Sequence, residues 1–130
     1  MANNTLPQVL LGVGVLAALA AGFWLIGGPQ AARMENRDEK RMMDLRALQA
    51  HVTCLANANA QTLPQALTGS EGCPAPRLKD RFTDAPYRYA RLSDSAFDLC
   101  AAFELPERVR HSPQLNTDTG CLRFTYRPDG

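Results

Sequence analysis

The chain has 130 residues, 45% of them hydrophobic and 21% charged, with a formal net charge of +1. That length holds one domain, or one small domain with an appendage. Near-neutrality excludes both a strongly basic nucleic-acid-binding face and a disordered acidic tail.

The average conceals a division. Residues 1–32 carry no charged side chain, whereas residues 33–130 carry all 14 basic and all 13 acidic groups. The first element is the run Val9–Ile26, eighteen residues without a charge. As a helix it would extend about 27 Å, near the hydrocarbon thickness of a bilayer. Phe23 and Trp24 near its end suit the membrane–water interface, and Gly27-Gly28-Pro29 loosens the helix beyond it. A cleaved signal peptide would need a basic start and a shorter apolar run. No Lys or Arg precedes Val9, and the run continues six residues past the small-residue triplet Ala18-Leu19-Ala20. Residues 1–28 are therefore expected to be a transmembrane anchor in a lipid bilayer, and residues 29–130 a soluble domain. Gly14, Ala18 and Gly22 recur every four residues and share one helical face. Small residues so spaced allow close transmembrane helix packing, although Gly and Ala are common in membrane helices in any case.

Two signals for orientation disagree. Arg33, Arg37, Lys40 and Arg41 follow the span, which by the positive-inside rule would leave the domain in the cytoplasm. The four cysteines, Cys54, Cys73, Cys100 and Cys121, are an even set in a domain of about 100 residues and suit an oxidising compartment. None is separated from another by two residues, so a structural zinc site is poorly supported. With Glu35, Asp38 and Glu39 mixed into the basic run, the cysteines outweigh the charge rule. An extracytoplasmic, periplasmic domain is expected.

Arg33 to Asn57 has a helical pattern, with Met34, Leu45, Leu48, Val52 and Leu55 in one apolar arc. The charged first half of this helix is expected to stand in solvent. Cys54 lies on the opposite side beside Met43, Ala47 and Ala50, a ledge of small residues able to receive a returning loop. Thr62-Leu63-Pro64-Gln65-Ala66-Leu67 reads as a short helical turn capped by Thr62, and residues 69–85 as loop. The period then changes to two. Tyr87–Leu92, Ala96–Phe103 and Cys121–Tyr126 are strand candidates, with Ser93-Asp94-Ser95 as a turn and residues 104–120 as a long polar loop. Phe97, Leu99, Leu122, Phe124 and Tyr126 face the core, which turns Cys100 and Cys121 outward. Three disulfide connectivities are possible. Strand pairing would let Cys100 meet Cys121, and Cys54 on its ledge would then take Cys73. The fold class is α+β, a transmembrane helix continuing into an amphipathic helix packed on a small antiparallel β-sheet.

Several residues carry the order of a known family: Arg37-Asp38-Glu39-Lys40-Arg41 with Asp44-Leu45, then Leu63–Leu67, Pro86–Tyr89 and Phe97–Phe103. The chain resembles the type IV pilin-like fold, especially the pseudopilins of type II secretion, over most of residues 33–103. It is similar also to bacterial single-pass proteins with such a periplasmic domain. The resemblance implies an inner-membrane protein and a pilin-like architecture. The chain departs from the family at the pilin signal, because Gly22-Phe23 ends the apolar run and no acidic residue lies within it. Prepilin peptidase processing and filament assembly are therefore not implied.

Chemistry-bearing patterns are sparse. His51 and Cys54 share a helical side, but two ligands do not make a closed metal site, and His111 lies in a distant loop. Asn116-Thr117-Asp118-Thr119-Gly120 has too few carboxylates for a calcium loop and reads as a turn. No nucleophile elbow, phosphate loop or His-Glu-x-x-His motif occurs. No catalytic, cofactor or metal residue is assigned. The expected function is a membrane-anchored structural or interaction module, such as an accessory subunit of an envelope complex, with protein partners met through the transmembrane helix or the domain. The alternatives are a membrane-bound enzyme whose site the sequence does not display and a cytoplasm-facing regulator.

Overall fold

The computed structural model describes residues 4–109 and 114–128. Its chain divides into two compact units, residues 1–33 and 34–130.

Helix α1 covers Thr5–Ile26 and buries none of its residues. It ends where Gly27 turns left-handed at φ 95°, with its N–H donated back to Trp24 O at 3.2 Å. Glycine meets that conformation without the steric cost a side chain would add. Helix α2 then covers Gly28–Ala58. Pro29 is tolerated because the first helical turn has no N–H partner to lose, and no Gly or Pro follows until α2 has ended.

The second unit is α+β. Strands β1 (Arg88–Arg91), β2 (Ala96–Cys100), β3 (Leu115–Asn116) and β4 (Cys121–Thr125) form one antiparallel sheet in the order β1-β2-β4-β3. Phe97 lies opposite Phe124, and Leu99 opposite Leu122, on the inner face. These four residues join Leu45, Leu48, Val52 and Ala56 of α2, with Leu63, Tyr87 and Tyr126, in one core. The turn between β1 and β2 is built by Ser93, whose Oγ accepts the N–H groups of Ser95 and Ala96.

The structure corrects the sequence reading at several points. Met34 and Leu55 are only half-buried, while Met42 and Ala56 complete the stripe. Thr62–Leu67 is not a helical turn: Leu63 is drawn into the core, and Pro64 O accepts the Tyr89 hydroxyl at 2.7 Å. The long loop before β4 contains a 3-10 turn at Pro106–Arg108 and the short strand β3. Met43, Ala47 and Ala50 stay exposed, so the returning loop meets the ledge at Cys54 and not along its length. The largest correction concerns the charged half of α2, where Asp38, Arg41 and Asp44 are buried.

Candidate functional site

Arg41 is the centre of this buried region, with a side chain only 2% exposed. A charge so placed must be paired and hydrogen-bonded to persist. Three segments supply its partners. Nε donates to Asp80 Oδ2 at 2.6 Å, and Nη1 donates to Asp38 Oδ1 at 2.8 Å and Glu104 Oε2 at 2.9 Å. Asp38 also accepts the backbone N–H groups of Glu104 and Leu105, at 2.9 and 2.6 Å. Arg37 grips Glu104 with two parallel bonds of 2.6 and 2.7 Å. The Phe82 ring lies 5.3 Å from the Arg41 guanidinium, within cation–π range.

One turn further along α2, Asp44 continues the network. It accepts from Arg81 Nη2 and from the Tyr87 hydroxyl, both at 2.7 Å. Asp38, Arg41 and Asp44 follow at intervals of three residues, so they stand on one side of the helix. Together they bind the chain around residue 80 and around residue 104 to α2.

The electrostatics follow from this geometry. Arg37, and secondarily Arg41, hold the Glu104 carboxyl down at about 2. Burial alone would raise the Asp80 carboxyl, but the Phe82 N–H and the Arg41 guanidinium outweigh it and the value is lowered. Burial works against the charged form of Arg41 too, yet its three carboxylates raise its pKa. The Tyr87 hydroxyl is raised by burial and by its bond to Asp44, and it remains a donor. Every carboxylate here is already engaged, which gives the cluster the chemistry of a clasp.

The residues singled out from sequence lie elsewhere. Cys54 is bonded to Cys73 and Cys100 to Cys121, the latter two directly opposite each other on β2 and β4. Cys100 is on the outer face, yet only 5% exposed. Gly14 and Ala18 are exposed on α1, and a Cβ added at Gly14 or Gly22 would meet nothing within 4 Å. His51 is buried and its Nε2 has no partner among the described residues. Cys54 is committed to its disulfide, so it offers no thiol beside His51. His111 lies outside the described residues. The Asn116 Oδ1 accepts the N–H groups of Asp118 and Thr119, which makes residues 116–120 a turn. Among the described residues no group of three His, Cys, Asp or Glu side chains is placed to hold a metal ion.

No protein-family model, curated protein or solved structure matches the chain. A run of charged residues ordinarily marks a solvated helix face, which hides the clasp in the sequence. One signal does reveal it: Arg41 precedes Leu45, Leu48 and Val52 by four, seven and eleven residues, which places it on the apolar stripe.

Proposed function

We propose that the protein is a membrane-anchored structural or interaction module. In this reading α1 is a single span in a bacterial inner membrane, and the pilin-like α+β unit faces the periplasm as an accessory part of an envelope complex. One observation carries the anchor. Helix α1 is long and apolar enough to cross a membrane and buries no side chain in the protein. Leu11 is 73% exposed and Trp24 86%. An apolar surface of that extent is stable only when something other than water covers it. The two disulfides support an oxidising compartment for the second unit.

Trp24 is the sole tryptophan, so its emission reports on α1 alone. In vesicles containing brominated lipid its fluorescence is expected to be quenched, and the protein to resist carbonate extraction from membranes. Unquenched emission with release into the soluble fraction would overturn the anchor. A reporter fused after Gly130 is expected to be active only on the periplasmic side. Activity in the cytoplasm would favour the regulator, to which the cations after the span point.

A further inference from the structure

Six cations of the second unit, Arg37, Arg41, Arg81, Arg91, Arg108 and Arg123, lie within 3.0 Å of a carboxylate oxygen. Arg77, Lys79 and Arg88 are exposed and, among the described residues, have no carboxylate within 4.0 Å. The backbone gathers these three. Residues 78–80 run antiparallel to residues 85–87: Lys79 bridges Pro86, the Asp80 N–H donates to Ala85 O, and the Tyr87 N–H donates to Leu78 O. Arg77 stands two residues before Lys79, and Arg88 two residues after its bridge partner Pro86.

Arg88 is also opposite Cys100 in the sheet, which puts all three cations on the outer face. Of the three, Arg88 lines a groove of about 300 Å³, with Pro86, Cys100, Ala101 and Ala102 also among its walls. Asp80 reaches the same groove, but its oxygens are held by Arg41 and the Phe82 N–H.

We propose that Arg77, Lys79, Arg88 and this groove form a docking surface for an acidic, extended segment of a partner protein. Spacing favours a peptide. Arg77 and Lys79 are two residues apart on extended backbone, about 6.6 Å, and alternate side chains of an extended peptide repeat at the same distance. The groove's alanine and proline walls accept the aliphatic stem of a Glu whose carboxylate meets the Arg88 fork, whereas a lipid surface would need no groove. This site deepens the anchored-module reading, on which it rests for its partner being a protein.

The probe is a fluorescein-labelled Glu-Thr-Glu-Thr-Glu peptide. It is titrated against the full chain in neutral detergent micelles at ~10 mM salt, where the Debye length is ~30 Å. Lys79→Gln and Arg88→Gln are each expected to weaken binding about three- to fivefold, and the double variant about tenfold or more. Arg46→Gln, at an exposed cation on α2, is expected to leave it unchanged. No binding, or equal loss in Arg46→Gln, would overturn the site. So would displacement of the peptide by equimolar inorganic phosphate, or by micelles doped with phosphatidylglycerol. A protein that fractionates with membranes but ignores the peptide fails this inference alone, while peptide binding by a protein released from membranes fails the anchor alone.

Discussion

Replacing Arg41 with Met is expected to cost the α+β unit about 3–5 kcal/mol at pH 7, the range for breaking a buried ion pair. Met keeps most of the aliphatic stem and removes the guanidinium. Asp38 then retains two backbone N–H donors, and Glu104, 31% exposed, retains Arg37. Asp80 is left worst, 3% exposed with the Phe82 N–H as its main remaining donor. A domain of this size has a stability of roughly 5–15 kcal/mol. The loss should lower Tm by on the order of 15 °C or more. Thermal unfolding of the full-length protein in micelles, followed by far-ultraviolet circular dichroism, measures it. The reference is Arg123→Met, which breaks an exposed pair with Asp98 and should cost less than about 1 kcal/mol. A buried carboxyl without its counter-ion has a raised pKa. The Asp80 contribution in the variant should therefore improve as pH falls and worsen as it rises through that value. Adding Asp80→Leu should recover part of the loss, because no buried charge is then left alone. Equal shifts for Arg41→Met and Arg123→Met would refute the clasp.

Acid should weaken the protein in a defined window. Glu104 is lowered from 4.5 to about 2 by its arginines. Its contribution is complete above the unfolded value and is lost as pH falls toward 2. Discounted for solvent screening, it amounts to on the order of 1 kcal/mol and should vanish in Glu104→Gln, as denaturant titrations at pH 2–6 would show. The disulfides close loops of 19 and 21 residues, so removing either pair by Ser substitution should cost about 3 kcal/mol in the chain-entropy model. Peptide mapping of unreduced, alkylated protein isolated from membranes should recover Cys54–Cys73 and Cys100–Cys121. Four free thiols would contradict an oxidising compartment.

The elements legible in the sequence are those whose cause is local. The absence of charge marks α1, and a period of two marks β2 and β4, whose register then aligns Cys100 with Cys121. Strand β3 was hidden because two residues, one of them Asn116, hold no period. Thr62–Leu67 carried a cap and an early proline, but the tertiary fold overrode that local preference by burying Leu63. The clasp is non-local in the same sense. Asp80 and Glu104 lie 39 and 63 residues from Arg41, and nothing near Arg41 announces them. Only its place on the apolar stripe does.

Between α2 and β1 the chain runs through residues 59–87 with two isolated bridges and no helix or strand. Hydrophobic burial is non-directional and would not by itself decide where such a segment lies. Directional bonds to α2 do so at successive places: Asp80 to Arg41, Arg81 and Tyr87 to Asp44, and Cys73 to Cys54. The consequence reaches the surface. Leu78 packs on the core and Asp80 is buried against Arg41, so alternation along extended backbone forces Lys79 outward between them. Arg77 follows by the same alternation, and Arg88 is fixed from the other side by its register with Cys100. The buried arginine thus orients Lys79 and Arg77, which it never touches, and with Arg88 on β1 these cations have the fixed spacing that recognition of an extended acidic segment requires.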